Sequence, residues 1–148
     1  MIIDTNILLF ATNEASPEHI SAVAWLEDAL NGNRRVGLPW ESLTGFVRLV
    51  TNPRVVPLPM APADAWSIVD AWLAAPAAWV PVATERHAAV LGDLVRRYRT
   101  AGKLVPDAHL VALAIEHGAE IISADTDFAR FTEVRWRNPV AAAVQGSA

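Results

Sequence analysis

Cysteine is absent from the sequence of 148 residues, so the chain can form neither a disulfide framework nor a thiolate metal site. No apolar run approaches the roughly 20 residues that a membrane-spanning helix requires. The chain opens with Met-Ile-Ile-Asp and shows neither the basic region nor the apolar region of a secretory signal. These absences lead us to expect a cytoplasmic protein.

Charged residues are also scarce, at 19% of the sequence, and the formal net charge is −4. An acidic balance is a poor basis for holding nucleic acid through bulk electrostatics. It does not exclude such a role, because acids that hold divalent cations invert the local sign of the charge. Hydrophobic residues make up 53% of the chain, which argues against disorder. We expect a single domain over residues 1–140 and a frayed tail over residues 141–148.

Helical patterns alternate with short apolar runs along the chain, which predicts an α/β fold with a short parallel sheet flanked by helices. Residues 1–3 are apolar without alternation, as in a buried central strand. Ser16-Pro17-Glu18 is a typical helix start. The inner face of that helix is predicted to carry Ile20, Val23, Leu26 and Leu30.

One stretch, residues 104–128, organises the predicted site. Pro106 suits the first position of a helix, which places Asp107 in the first turn at the positive end of the helix dipole. Gly118 is a typical terminator of that helix. A short strand over residues 120–123 follows, and Asp125 and Asp127 come directly after it. Ligands of parallel sheets gather outside the carboxyl ends of strands, so three acids are brought towards one edge.

Two further acids occupy similar positions. Asp4 ends the first strand, and its alternative role is that of a turn or capping residue. Glu41 lies in the first turn of another helix, on a face with the small residues Thr44 and Gly45, which would let a second backbone approach. Its alternative role is that of an ordinary first-turn acid favoured by the helix dipole.

Crowded carboxylates restrict the possible chemistry. Two of them about 5 Å apart repel by roughly 3 kcal/mol at an effective dielectric constant of about 20. Such a cluster therefore needs cations or raised pKa values. Ligands that are all oxygen indicate Mg²⁺ or Mn²⁺ rather than zinc. An ion of this kind activates water and clamps a phosphodiester, so the residues indicate metal-dependent phosphoryl chemistry.

Five segments together match a known family in order along nearly the whole chain. They are Ile2-Ile3-Asp4-Thr5-Asn6, Trp40-Glu41, Thr51-Asn52-Pro53-Arg54, Val105-Pro106-Asp107-Ala108-His109 and Ser123-Ala124-Asp125-Thr126-Asp127-Phe128. The combination resembles a PIN-domain ribonuclease and, more narrowly, a VapC toxin of a type II toxin–antitoxin pair. The resemblance implies a three-layer PIN-like sandwich, Mg²⁺-dependent RNA endonuclease activity, a homodimer and inhibition by a cognate VapB antitoxin.

The resemblance also implies roles for individual residues. The acidic metal site would comprise Asp4, Glu41, Asp107 and Asp125. Asn6, with Thr5 beside it, would help to order that site, and Asp127 is a frequently acidic neighbour. In the implied mechanism Asp4, Asp107 and Asp125 bind the principal ion. Glu41 holds a second ion or orients the attacking water, and hydrolysis leaves a 5′-phosphate and a 3′-hydroxyl.

Two other functions compete with this interpretation. A phosphatase of the haloacid-dehalogenase type also places an Asp after its first strand, but it needs a second Asp two positions later, where this chain has Asn6. A non-catalytic binding module that keeps the fold would be expected to lack an acid, and here all four are present.

The basic residues and two of the histidines carry further expectations. The candidates for contact with RNA phosphates are Arg48, Arg54, Arg96, Arg97, Arg99 and Lys103. Several of them fit the solvated face of an amphipathic helix equally well. His87 lies on an apolar face, where a hydrogen-bonded core residue is expected. His109 follows Asp107 by two positions and is expected to point elsewhere on the helix.

Overall fold

The computed structural model of the chain describes residues 1–141. Its strands are β1 (Ile2–Ile3), β2 (Val36–Gly37), β3 (Ala78–Trp79), β4 (Ile121–Ile122) and β5 (Trp136–Arg137). Its helices are α1 (Thr5–Phe10), α2 (His19–Leu30), α3 (Trp40–Val50), α4 (Pro62–Leu73), α5 (His87–Tyr98), α6 (Leu104–His117) and a 3₁₀ helix at Thr126–Arg130. Beyond residue 141, the predicted tail lies outside the described residues. No helix among residues 1–141 is long and apolar enough to cross a membrane.

The strands form one parallel sheet in the order β3-β2-β1-β4-β5. The first strand is central, and its residues Ile2 and Ile3 are completely buried, as expected for an apolar run without alternation. Ile2 pairs with Ile121 and Ile3 with Ile122. The order places the carboxyl ends of β1 and β4 side by side, which brings the residues that follow them to one edge of the sheet.

Helices cover both faces of the sheet. Successive side chains of a strand point to opposite faces, and β1 shows this directly. Ile3 packs into a core built largely by α1, α2, α3 and α4, whereas Ile2 packs into a core built by α5, α6 and the residues around Phe128. The predicted α/β class and three-layer arrangement are therefore confirmed.

Two helix starts differ from the prediction. Helix α2 begins at His19 rather than at Ser16, and Ile20 is 82% exposed, so its predicted place on the inner face is wrong. The later start leaves Ile20 in the first turn, while Leu26 and Leu30 form the buried face as predicted. Helix α6 begins at Leu104 and ends before the left-handed Gly118. The ring of Pro106 is tolerated there because the first turn offers its backbone nitrogen no acceptor.

Candidate metal centre

Four aspartates converge where the carboxyl ends of β1 and β4 meet the start of α6. Asp4 directly follows β1, Asp125 follows β4, and Asp107 lies in the first turn of α6. Carboxylate oxygens of Asp107, Asp125 and Asp127 all lie within 4.8 Å of one another. Asp4 is not in that close group, but its charge contributes to raising the pKa of Asp107.

Hydrogen bonds to both of its carboxylate oxygens hold Asp4 in place. Oδ1 accepts from the backbone N–H of Thr5 at 2.7 Å, so Asp4 is also the N-cap of α1. Oδ2 accepts from the Ser123 hydroxyl at 2.7 Å and from the Asn6 amide at 3.1 Å. The capping role, which was the alternative to a site role, is therefore present.

Asn6 connects the two strand ends through its side-chain amide. Its Nδ2 donates to Asp4 and also to the Ser123 hydroxyl, at 3.0 Å in the second case. Its Oδ1 accepts from the backbone N–H of Ala124 at 3.1 Å. The amide therefore bridges the residues after β1 and those after β4.

Ser123 is a hub of the site that the sequence did not single out. The residue is completely buried, and its hydroxyl donates to Asp4 while accepting from Asn6 Nδ2 and, at 3.0 Å, from the backbone N–H of Asp125. A hydroxyl has one donor and two acceptor positions, so all three are used. The sequence does carry one signal for this role, because Ser123 is a small polar residue between a buried strand and an acid.

The second acidic segment is ordered by its own backbone. Asp125 Oδ1 accepts from the backbone N–H of Asp127 at 2.9 Å and so caps the 3₁₀ helix. Asp127 then lies near two cations, with Oδ2 3.7 Å from Lys103 Nζ and Oδ1 3.5 Å from Arg130 Nη2. Those side chains are exposed, so their attraction to Asp127 is screened by solvent.

Burial and the repulsion between neighbouring carboxylates raise the pKa values of two of these acids. Burial, followed by the charges of Asp4, Asp125 and Asp127, raises the pKa of Asp107 to about 6, although Lys103 opposes the shift. Burial also raises the pKa of Asp4, against the lowering effect of its bonds from Ser123 and Thr5. Closely spaced carboxylates of this kind suit a hard divalent cation, so the cluster can hold a metal ion.

Glu41 lies on α3 and, like Asp4, is not in the close group of three aspartates. Helix α3 is attached to the β1–α1 segment. The buried Ser42 hydroxyl donates to the backbone carbonyl of Ile3 at 2.7 Å. The Thr5 hydroxyl donates to the backbone carbonyl of Ser42 at 3.2 Å. Gly45 allows the contact, because a Cβ there would lie 2.7 Å from Thr5 Oγ1. The close approach expected on this face of α3 is therefore found at Gly45, where the Thr5 side chain packs, whereas Thr44 is exposed.

His109 makes a contact that the sequence did not reveal. Two positions along a helix turn it away from Asp107, as predicted, but its ring reaches Glu41. His109 Nε2 lies 2.7 Å from Glu41 Oε1, at ion-pair distance although not in hydrogen-bond alignment. Whether a side chain of α6 meets one of α3 depends on how those helices pack, and the sequence pattern did not reveal it.

The candidate RNA-contacting residues are distributed unevenly. Arg97 pairs with Asp93 at 2.8 Å and with Glu133 at 2.6 Å. Glu133 precedes β5, so Arg97 lies towards the amino ends of the strands, on the side away from the acids. Lys103 lies beside Asp127. All six candidates are exposed, and four of them have no ion pair within residues 1–141: Arg48, Arg54, Arg96 and Arg99.

Comparison with known proteins identifies the family. A PIN domain family model matches residues 1–134. The chain belongs to the PIN-domain family. This PIN domain is 46% identical over 140 residues to ribonuclease VapC37 of Mycobacterium tuberculosis, which covers 95% of this chain and 97% of the relative. It is 41% identical to ribonuclease VapC33 of the same organism, over 95% of this chain and 98% of the relative.

A solved structure shares the fold. VapBC2 from Rickettsia felis, bound to a DNA fragment from its promoter, matches with a TM-score of 0.68 and 17% identity, over 93% of this chain and 96% of that chain. These matches confirm the resemblance to PIN-domain ribonucleases of the VapC type. The phosphatase alternative is thereby set aside.

Proposed function

We propose that this PIN domain, over residues 1–140, is the toxin of a type II toxin–antitoxin pair and hydrolyses RNA internally at a Mg²⁺ site. The observation that carries the proposal is the convergence of Asp107, Asp125 and Asp127 within 4.8 Å beside the fixed Asp4. Two relatives that this chain matches over almost their full length are named ribonucleases, which supports RNA as the substrate.

Asp4, Asp107 and Asp125 would hold the principal ion in this proposal, and Asp127 would complete the group from the neighbouring turn. The donor set consists of carboxylates, which suits Mg²⁺ and also Mn²⁺. When bound, such an ion supplies Lewis acidity and makes water a better nucleophile at neutral pH. The raised pKa of Asp107 fits a cluster whose acids ionise together fully when a cation shares their charge.

Glu41 acts on the attacking water or on a second ion. Its side chain is 49% exposed, so solvent and substrate reach it, and its carboxylate can accept a proton from water. Hydrolysis adds the hydroxide part of water to phosphorus and breaks the bond between phosphorus and the 3′ oxygen. That oxygen takes a proton, which leaves a 3′-hydroxyl and a 5′-phosphate.

Substrate RNA is held by side chains outside the acidic cluster. Lys103 flanks Asp127 and is placed to meet a phosphate, with Arg48, Arg54, Arg96 and Arg99 as further exposed cations. Arg97 is withdrawn from this set because Asp93 and Glu133 neutralise it. Trp40, next to Glu41, is 42% exposed and lies parallel to Trp66 with ring centroids 6.4 Å apart, which offers a surface for base stacking.

A VapB-type antitoxin is the proposed protein partner, in the cytoplasm, with a homodimer as the assembly. The VapBC2 structure with this fold supports the partner class. Ile20, Val55 and Leu58 are exposed by 82%, 46% and 91%, which leaves apolar surface that a second chain can cover. Light scattering of the purified protein with and without antitoxin tests both associations.

Cleavage of RNA by the purified protein tests the catalytic proposal. We expect cleavage that requires Mg²⁺, stops with EDTA and yields 5′-phosphate ends. Asp107→Asn and Asp125→Asn should each reduce the rate at least 100-fold, while His117→Asn, at the far end of α6, should not. Equal rates for wild type and both aspartate variants would overturn the proposal. A folded protein that binds the antitoxin but never cleaves RNA would instead favour the non-catalytic module.

A further inference from the structure

A continuous series of four side chains runs from the buried carboxylate of Glu116 to Glu41. Glu116 Oε2 lies 2.5 Å from His87 Nδ1, and His87 Nε2 lies 2.8 Å from His109 Nδ1. His109 Nε2 lies 2.7 Å from Glu41 Oε1. The series joins three helices, because Glu41 is on α3, His87 on α5, and both His109 and Glu116 on α6. We refer to Glu116, His87 and His109 as the histidine arm.

The inner end of the histidine arm is firmly anchored. The Glu116 side chain is completely buried, and its Oε1 accepts from the Thr84 backbone N–H at 2.9 Å and from the Thr84 hydroxyl at 2.5 Å. Burial would raise the pKa of Glu116, but the hydrogen bonds from His87 and Thr84 outweigh it and lower the pKa. The anchor is therefore a carboxylate, which can only accept hydrogen bonds.

That anchor fixes the orientation of both rings. Because the Glu116 carboxylate only accepts, His87 Nδ1 carries hydrogen, and a neutral His87 then presents Nε2 as the acceptor for His109 Nδ1–H. The two rings meet edge to face, with centroids 4.7 Å apart and planes at 76°. His109 and Glu116 are seven positions apart on α6, so they share a face two turns apart. The plane of His109 is thereby set towards Glu41. Because Nδ1 already donates to His87, the ion pair with Glu41 needs a second hydrogen on His109 Nε2, which makes the ring an imidazolium.

Glu41 has little else to hold it. Its side chain is about half exposed, and within residues 1–141 His109 supplies its side-chain ion pair. A free glutamate side chain samples many rotamers, and ordering it costs conformational entropy. The histidine arm is partly buried and hydrogen-bonded from Glu116 to His109, and it places a ring nitrogen 2.7 Å from the Glu41 carboxylate. This contact restricts those rotamers before substrate arrives.

We propose that Glu116 and His87 are positioning residues that act through His109 to hold the Glu41 carboxylate at the metal site, which rests on the role of Glu41 in the function proposed above. Outer-shell carboxylate and histidine partners orient groups around metal sites in this way, and their loss commonly costs 10- to 100-fold in metal affinity or activity. The arm is thus a second support for the site, independent of the Ser123 hub.

The first test cuts the arm without removing its anchor. His87→Asn keeps a donor near Glu116 but is too short to reach His109. We expect kcat for RNA cleavage to fall about 10-fold with KM little changed, and an unchanged melting temperature. The matched control is His117→Asn, which removes a histidine whose Nε2 contacts the Val82 carbonyl at 2.8 Å. A kcat for His87→Asn equal to that of the control would overturn the proposal.

A second measurement separates positioning from a merely structural role and needs no activity. Ring-nitrogen resonances of His109, read by long-range ¹H–¹⁵N correlation in the full-length protein, should shift in Glu116→Gln although Glu116 does not touch His109. They should also shift in Glu41→Gln. Unchanged His109 resonances in a folded Glu116→Gln protein would show that Glu116 does not influence His109, and the proposal would be wrong. If the resonances shift but the wild type cleaves no RNA, the coupling through the histidine arm is supported and the proposed function is wrong.

Discussion

The Ser123 hydroxyl donates a hydrogen bond of 2.7 Å to Asp4 Oδ2, joining residues 119 positions apart in the chain. The bond links the residue after β1 to the residue after β4, at the edge where the aspartates converge. The order of the strands in the sheet therefore helps to build the site. Because β1 and β4 are parallel neighbours, their carboxyl ends lie side by side. The buried Ser123 hydroxyl then holds Asp4 against the backbone that leads to Asp125.

Ser123→Ala should weaken both the fold and the site. The substitution removes the donor to Asp4 and leaves Asn6 Nδ2 and the Asp125 N–H short of an acceptor in a buried place. We expect a loss of about 2–3 kcal/mol in the free energy of unfolding, as unsatisfied buried groups cost about 1–3 kcal/mol each. Urea denaturation measures it. Ser67→Ala is the control, since that exposed hydroxyl bonds only its own helix; equal losses in both variants would contradict the hub.

The contribution of Asp107 to the stability of the metal-free protein should fall as pH rises from 4 to 6. Asp107 has a pKa of about 6 in the fold against an ordinary value of 3.8, so in this window the folded state binds more protons than the unfolded state. Its protonated form is therefore favoured by folding, and ionisation removes that advantage. After allowance for solvent screening of a half-buried group, the effect is about 1 kcal/mol.

The comparison with Asp107→Asn isolates this effect, because other groups titrate over the same range. The unfolding free energy of the wild type minus that of the variant should decline from pH 4 to pH 6 and then level off. In saturating Mg²⁺, this difference in unfolding free energy should no longer decline near pH 6. A difference that stays flat from pH 4 to pH 7 would show that Asp107 titrates normally.

Protons and Mg²⁺ should compete for the cluster. A protonated carboxyl is a poor ligand, so metal binding releases protons and weakens as the pH falls. With the pKa of Asp107 near 6, the Mg²⁺ dissociation constant should rise up to about tenfold for each unit below pH 6 and change little above pH 7. Isothermal titration calorimetry in two buffers of different ionisation enthalpy checks both the affinity and the proton release.

Two helix glycines should respond oppositely to alanine. A Cβ at Gly45 would lie 2.7 Å from Thr5 Oγ1, whereas a Cβ at Gly92 would meet only the flexible tip of Arg96 at 3.3 Å. Gly45→Ala should destabilise by about 1–3 kcal/mol through overpacking and displace the helix that carries Glu41. Gly92→Ala should stabilise by up to about 1 kcal/mol through helix propensity. Thermal melts of both variants distinguish steric from propensity effects; a stabilised Gly45→Ala would contradict the close α1–α3 contact.

Local pattern predicted the framework of this protein well. The unbroken apolar run at Ile2-Ile3 predicted a buried central strand, and Gly118 predicted the end of α6, because both signals reside in the chain itself. The order of acids along the chain supplied the family resemblance. The start of α2 was missed because Ser16-Pro17-Glu18 forms a turn before the helix, which left Ile20 in solvent.

Contacts between distant elements were not readable in the same way. The sequence around Ser123 and His109 does not indicate which helix or strand end will face these residues. Both roles depend on the packing angles between elements. Arg97 shows the converse: its helix is basic, but its guanidinium pairs with Asp93 and Glu133. The close approach of Asp107 and Asp125 supports the proposal that they are ligands, and the same role for Asp4 and Glu41 stays a prediction from the sequence.

Locating the ion is the most direct test of the central claim. Crystals of the full-length protein grown with Mn²⁺ should show an anomalous scattering peak within coordination distance of Asp107 and Asp125, and Asp107→Asn crystals grown identically should lose it. A peak at any other group of side chains, or no peak at saturating Mn²⁺, would contradict the metal centre proposed here.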